Sequence, residues 1–156
     1  MTDLITRVNN LFYYNDGHLY NKKNNKRLGT LNRDGYIHIG LDYKYYKEHR
    51  LIFLIHHGYL PKIIDHIDGN KQNNKIENLR PCTKSQNCLN AKNKKHSKCG
   101  YKGVSYEKRY NTWVSSITID GKRKYIGSYK DPVYAAFAYN QYALVYHKEF
   151  AKINIL

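Results

Sequence analysis

The chain has 156 residues, and its 27 Lys and Arg against 12 Asp and Glu give a formal net charge of +15. A polyanion relieves the repulsion among so many positive charges, so the charge predicts nucleic acid as the partner. A membrane surface ranks well below it, because the sequence has neither a long apolar run nor a basic helix with an aliphatic face.

The cysteines and the N-terminal residues narrow the class of protein further. Cys82, Cys88 and Cys99 are an odd number without the spacing of paired CxxC knuckles, so we expect free thiols and no zinc. The stretch MTDLITRVNN lacks the basic start and apolar segment of a signal peptide. We therefore expect an intracellular protein that is not secreted.

Short runs of β-forming residues alternate with turn residues over residues 10–48. Asp-Gly pairs at residues 16–17 and 34–35 are strong hairpin signals, and residues 36–39 alternate as in a half-buried strand. We predict an antiparallel β-rich region over residues 1–48. Its basic, Tyr-rich outer face either contacts DNA or only supports the next module.

A short buried helix is predicted over residues 48–58, where Gly58 ends an apolar run and Pro61 follows. Histidines at helix ends are usually structural. His49 is the one histidine of this segment that we keep as a weak candidate for the functional site.

Residues 62–95 predict a hairpin followed by a helix. A strand over residues 63–67 carries Asp65 and His66 near its end, an Asn-rich loop follows, and residues 79–82 form a return strand. A helix then starts near residue 84. The resulting ββα unit brings several polar side chains to one place.

These side chains suit phosphodiester hydrolysis. His66 can take a proton from water near neutral pH, and a hard divalent metal needs oxygen ligands such as Asp65 and Asn87. Neighbouring strand residues point to opposite faces, so Asp65 and His66 can serve the metal and the water separately. Asn78 can hold the backbone beside His66 through both ends of its amide.

The segments DHIDGNKQNNKIENLR and TKSQNCLN resemble the HNH motif of homing endonucleases from phages and mobile elements. The resemblance implies that His66 is the general base, Asp65 and Asn87 are ligands of Mg²⁺ or Mn²⁺, and Asn78 orients the hairpin. Asn74 and Asn90 fit the wider pattern of the motif as supporting residues, and Asn90, one turn beyond Asn87, is also the alternative ligand. A phage-encoded protein would act in the host cytoplasm.

The C-terminal residues predict three strands and a helix. The strands span residues 103–108, 113–119 and 122–129, with an Asp-Gly turn at residues 120–121. Asp131 caps a helix that runs from Pro132 to about residue 148. Four residues at helical spacing are expected to face the sheet, namely Ala136, Tyr139, Ala143 and Tyr146.

The pieces GVSY, TWVSSI, KYIGSY and AAFAYNQYALVYH resemble the Apetala-two (ethylene-response-factor) DNA-binding domain. Ser105 and Thr118 stand where the plant domains carry base-reading arginines, which implies a looser sequence preference. Over the whole chain, the candidate DNA contacts are Arg80, Lys102, Lys108, Arg109, Trp113, Lys122, Arg123, Lys124 and Tyr125.

Together these patterns predict an α+β chain with regions at 1–48, 49–96 and 97–156 and a boundary near Ser97 to Gly100. The predicted function is a metal-dependent homing-type endonuclease, a monomer that acts on double-stranded DNA without a small-molecule cofactor. A non-catalytic DNA-binding regulator is the first alternative, and an RNA-binding or ribosome-associated protein is the second.

Overall fold

The computed structural model describes residues 2–90 and 99–156. The chain divides into two compact units, an N-terminal unit of residues 1–84 and a C-terminal unit of residues 85–156. The predicted α+β class is confirmed, since helices and antiparallel sheets occur in both. The predicted boundary near Ser97 to Gly100 begins outside the described residues.

The N-terminal unit contains hairpins and two longer helices. In chain order its elements are α1 (Thr2–Leu11), β1 (Phe12–Asn15), β2 (His18–Asn21), β3 (Thr30–Leu31), β4 (Ile37–Leu41), β5 (Lys44–Lys47), α2 (Glu48–His57), β6 (Ile63–His66), a 3-10 turn (Ile76–Asn78) and β7 (Leu79–Cys82). Helix α3 (Lys84–Asn90) follows and, apart from its first residue, belongs to the C-terminal unit. The sequence analysis did not predict α1.

Turn residues set the hairpins as predicted. Asp16 and Gly17 have φ of 44° and 85° and form the two-residue turn between β1 and β2, which suits the twist of paired strands. The turn between β4 and β5 has the same form, with φ of 52° at Asp42 and 60° at Tyr43. This second turn was not predicted from the sequence, because neither of its two residues is the glycine that positive φ favours.

One apolar core joins α1, α2 and the hairpins of the N-terminal unit. Helix α2 ends as predicted at Gly58, whose φ is 74° and whose N–H donates to Leu54 O at 2.9 Å. Ile64 of β6 and Leu79 of β7 belong to the same core. The core therefore anchors the β6–β7 hairpin that carries Asp65 and His66.

The C-terminal unit is a three-stranded antiparallel sheet of order β10-β9-β8 with one long helix. Its elements are β8 (Val104–Glu107), β9 (Thr112–Ile119), β10 (Lys122–Tyr129), α4 (Pro132–His147) and a 3-10 turn (Lys148–Phe150). Asp131 Oδ1 caps α4 as predicted by accepting from Val133 N–H at 2.7 Å. In the described part of the chain, no helix is long and apolar enough to cross a membrane.

Helix α4 lies on the sheet through small residues, as its sequence predicts. Ala136, Tyr139 and Ala143 are buried. The expectation for Tyr146 was wrong, since its side chain is 44% exposed and His147 is buried instead. His147 is the fourth residue after Ala143, so the two side chains lie on one stripe of the helix. His147 Nε2 bonds to Thr118 O at 2.9 Å.

Gly103 marks the closest approach of backbone to α4, and its replacement tests the packing of the C-terminal unit. A Cβ there would lie 2.0 Å from Tyr139 Cδ2, and its φ is +76°. We expect Gly103→Ala to lower the free energy of unfolding by about 2–4 kcal/mol. Urea denaturation followed by the fluorescence of Trp113, the only tryptophan, measures the change.

Gly121→Ala is the matched control, because Gly121 also has positive φ but no atom near its Cβ position. It should cost about 1 kcal/mol. Equal losses for the two variants would contradict crowding as the reason.

Candidate active site

The end of β6 presents two polar side chains on opposite faces. Asp65 is paired with Arg80 across the hairpin and His66 with Leu79. Both polar residues are nearly inaccessible, with Asp65 6% and His66 5% exposed. Since Ile64 lies in the apolar core and strand side chains alternate, His66 lies on the core side and Asp65 on the other.

Asp65 is held by an arginine. Arg80 Nε and Nη2 both donate to Asp65 Oδ2, at 3.0 and 2.8 Å. Arg80 lies directly across the strand pair from this carboxylate; that Arg80 contacts DNA stays a prediction. The pair satisfies a charge that would be costly to bury alone.

His66 belongs to a buried chain of hydrogen bonds. Its Nε2 lies 2.9 Å from Asn74 Oδ1, and Asn74 Nδ2 donates to Glu48 Oε2 at 2.8 Å. Glu48 is 0% and Asn74 1% exposed. The ring of His66 is therefore held from the interior of the N-terminal unit.

Glu48 is the first residue of α2, and both of its oxygens accept hydrogen bonds. Oε1 accepts from Leu19 N–H at 3.0 Å, while Oε2 lies 3.5 Å from His18 Nδ1. Glu48 was not singled out from the sequence, and Asn74 was expected only in a supporting place. An acidic residue directly before a buried apolar run was the available signal for Glu48. The wider motif was the only signal for Asn74, because the loop holds several asparagines.

Asn78 ties the loop back to the hairpin. Its Oδ1 accepts from Asp68 N–H at 3.1 Å, and its Nδ2 donates to Asn73 O at 2.7 Å and to Asp68 Oδ1 at 3.0 Å. The backbone oxygen of Asn78 also accepts from Ile67 N–H at 2.9 Å. These bonds fix the backbone immediately after His66.

Two aromatic rings enclose the ring of His66. The centroid of His49 lies 4.9 Å and that of Tyr36 lies 6.1 Å from it. Burial lowers the pKa of His49 to about 3, and electrostatic interactions with His66, Lys47, Arg50 and His38, in that order, lower it further. His49 is therefore a neutral wall of the site at physiological pH.

A basic cluster continues from Tyr36 toward the surface. Lys47 Nζ lies 3.6 Å and Lys71 Nζ 4.6 Å from the centroid of the Tyr36 ring. Asp34 links the two lysines, since its carboxylate lies 3.1 Å from Lys47 Nζ and its backbone oxygen accepts from Lys71 Nζ at 2.9 Å. We call Tyr36, Lys47 and Lys71 the lysine clamp.

A metal would have few side-chain ligands here. Within residues 2–90 and 99–156, no group of three or more His, Cys, Asp or Glu is arranged to hold a metal ion. The predicted ligands are the carboxylate of Asp65, which lies in the N-terminal unit, and the amide of Asn87 in α3, which lies in the C-terminal unit; that they share an ion stays a prediction. These hard oxygen donors suit Mg²⁺, which keeps several waters. Asn87 is exposed and Asn90 is buried.

In the C-terminal unit, strand alternation sorts the candidate DNA contacts onto two faces. Arg123 pairs with Thr118 and Tyr125 with Ser116 on the face away from α4. Lys124 pairs with the buried Ile117, and its Nζ lies 5.3 Å from the centroid of the Tyr146 ring on α4. Residues 122–125 therefore do not present one continuous surface, as the sequence expectation had implied.

We call the sheet face opposite α4 the open face. Two other predicted contacts also lie away from it. Trp113 packs beside Tyr106, with ring centroids 4.9 Å apart, and against the core under α4. Lys102 is half-buried and its Nζ donates to Leu89 O; burial lowers its pKa, with a contribution from Lys152. The remaining candidates are exposed, namely Lys108, Arg109 and Lys122.

The chain is similar to a known family and to known proteins. Residues 46–89 match the HNH endonuclease family. Protein 3.8 of Escherichia phage T7 is 36% identical over 83 residues, which are 52% of this chain and 69% of that protein. The uncharacterized HNH endonuclease L245 of Acanthamoeba polyphaga mimivirus is 30% identical over 146 residues, or 78% of this chain and 44% of that protein. No solved structure is significantly similar.

The match over residues 46–89 begins in β5 and includes α2, the β6–β7 hairpin and most of α3. It contains all four predicted site residues, namely Asp65, His66, Asn78 and Asn87. The likeness of the C-terminal unit to the Apetala-two domain and the homing type stay predictions. The chain belongs to the HNH endonuclease family.

Proposed function

We propose that this protein is a metal-dependent DNA endonuclease of the homing type that hydrolyses phosphodiester bonds with His66 as the general base. One observation carries the proposal: His66 is buried, is bonded through one ring nitrogen to Asn74, and lies beside a carboxylate that points to the opposite face. The family membership and the net charge of +15 support DNA as the substrate.

His66 takes the proton from the attacking water as the new P–O bond forms and the P–O bond to the leaving oxygen breaks. Asp65 and Asn87 would hold a single Mg²⁺ or Mn²⁺, which neutralises charge on the phosphate and on the leaving oxygen when bound. Asn78 fixes the backbone that carries His66.

The lysine clamp supplies positive charge beside His66. Tyr36 adjoins both the His66 ring and the two ammonium groups. Asp34 keeps the lysines in place but balances only one charge. We propose that Lys47 and Lys71 contact phosphates that flank the scissile bond, as sequence-independent contacts do.

The open face of the C-terminal sheet is proposed as a second DNA contact. Arg123 and Tyr125 lie on it, beside hydroxyl side chains that include Ser105 and Thr118. Hydroxyl groups bond to several bases, whereas arginine favours guanine. Such a face supports binding with a tolerant sequence preference.

The ion pair between Asp65 and Arg80 favours one alternative function. A guanidinium already occupies the carboxylate oxygen Oδ2, as expected for a DNA-binding regulator that has kept the fold without the metal chemistry. Cleavage assays with and without divalent metal separate this regulator from the nuclease.

Replacing His66 tests the general base. We expect His66→Ala to slow Mg²⁺-dependent nicking of supercoiled plasmid by at least about 100-fold, because the water loses its proton acceptor. Binding of the same DNA, measured by fluorescence anisotropy in chelator, should be unchanged. His57→Ala is the control, since His57 lies exposed at the end of α2. Unchanged nicking by His66→Ala would contradict the role.

Replacing Asn87 tests the metal ligand. We expect Asn87→Ala to raise the Mg²⁺ concentration for half-maximal nicking at least about tenfold, since the ion loses one of two protein ligands. Cys88→Ala, which changes the next exposed residue of α3, should leave the Mg²⁺ dependence unchanged. A normal Mg²⁺ titration for Asn87→Ala would remove Asn87 from the ligand set.

A pair of variants tests which face of the C-terminal sheet meets DNA. We expect Arg123→Ala to weaken duplex binding and to reduce the slope of log K against log salt by about one, because one phosphate contact is lost. Lys124→Ala removes an equal charge from the face toward α4 and should weaken binding less. Equal losses, measured by anisotropy over a salt series, would count against the open face.

A further inference from the structure

The buried hydrogen bonds from His66 through Asn74 to Glu48 have a role beyond satisfying buried polar groups. We infer that Glu48 and Asn74 are positioning residues that fix the tautomer and the orientation of the His66 ring for the proposed hydrolysis. The inference rests on the proposed function for its catalytic consequence, but its structural part stands on the hydrogen bonds alone.

The first step is the orientation of the Asn74 amide. The two oxygens of Glu48 accept from different donors, Leu19 N–H and the Asn74 side chain. A carboxylate has only acceptors, so the Asn74 atom facing it must be the amino group, Nδ2. The chemistry of Glu48 therefore turns the carbonyl, Oδ1, toward His66.

The second step is the position of the proton on the His66 ring. Asn74 Oδ1 lies 2.9 Å from His66 Nε2 and can only accept. Nε2 must therefore carry the hydrogen, and in the neutral ring Nδ1 is then the nitrogen with a lone pair. The proton from the attacking water is received at Nδ1.

The third step is the rigidity of the chain. Glu48 is 0% and Asn74 1% exposed, and His49 and Tyr36 enclose the His66 ring. Burying a carboxylate carries a large desolvation cost, and an apolar residue at this position of α2 would avoid that cost. Bonding to Leu19 N–H alone would need only a neutral acceptor.

Glu48→Gln gives a sharp test because it preserves shape. The introduced glutamine has one oxygen, which is needed by Leu19 N–H, so its amino group would face Asn74. Asn74 must then turn its Oδ1 toward that amino group and its own amino group toward His66, which converts Nε2 into an acceptor. We expect His66 to change to the Nδ1–H tautomer and single-turnover cleavage at saturating DNA to slow by about 10- to 100-fold.

The double variant Glu48→Gln with Asn74→Asp again gives every bond a donor and an acceptor, and it restores an acceptor opposite His66 Nε2; only the bond between positions 48 and 74 runs in the opposite direction to the wild type. The oxygen of the introduced glutamine accepts from Leu19 N–H, and its amino group donates to one oxygen of the introduced aspartate. The second oxygen of that aspartate accepts from His66 Nε2–H. We expect the Nε2–H tautomer and most of the cleavage rate to return. Asn74→Asp alone sets two carboxylates against each other and should be the least active and least stable variant.

Long-range ¹H–¹⁵N spectra of histidine-labelled protein report the tautomer without any cleavage. Asn70→Asp is the control, since Asn70 accepts a hydrogen bond from Gln72 N–H through Oδ1 at the loop surface and an aspartate can accept the same bond; its tautomer and rate should match the wild type.

An Nδ1–H tautomer in the wild type, or an unchanged tautomer and rate in Glu48→Gln, would overturn the inference. If the wild type does not cut DNA, the proposed function fails. The spectra of the single and double variants still show whether Glu48 and Asn74 determine the tautomer of His66.

Discussion

The hydrogen bond between His66 and Asn74 connects the candidate site to the interior of the N-terminal unit. It is possible because Ile64 and His66 share one face of β6, and Ile64 lies in the apolar core. A polar ring on that face must find a buried partner, since an unmet hydrogen-bonding group there costs about 1–3 kcal/mol. Asn74 is that buried partner, and Glu48 in turn accepts a hydrogen bond from Asn74. This arrangement requires that α2 begin at Glu48.

The same hairpin separates two acidic groups. Asp65 faces away from the core with Arg80, whereas Glu48 lies within the core and reaches His66 only through Asn74. A carboxylate beside the ring would attract its proton directly, whereas an amide only determines which ring nitrogen carries the hydrogen. The arrangement leaves Asp65 as the acidic side chain on the outer face of β6, where a metal would neutralise phosphate.

Local chemistry made much of the fold predictable. Asp-Gly pairs, the Asp131 cap and Gly58 fix turns and helix ends within a few residues, so β1, β2, α2 and the C-terminal sheet follow from the sequence. Long-range contacts were not predictable. Nothing local distinguishes Asn74 from its neighbours, and residues 122–125 read as one basic patch until their register on β9 divides them between two faces. The motif predicted His66 and Asn78, but not the residues that hold His66.

The distribution of charge also bears on specificity. The open face of the C-terminal sheet holds Arg123 among hydroxyl side chains, with Glu107 on its edge strand β8, whereas the lysine clamp lies beside the site in the N-terminal unit. Contacts to phosphate do not depend on sequence, so the proposed contacts of Lys47 and Lys71 would add affinity without discrimination. In the proposed nuclease, discrimination would then come from few base contacts and from the shape of the duplex. Such a nuclease would tolerate changes in its target, because most of its binding free energy would come from the backbone common to every site.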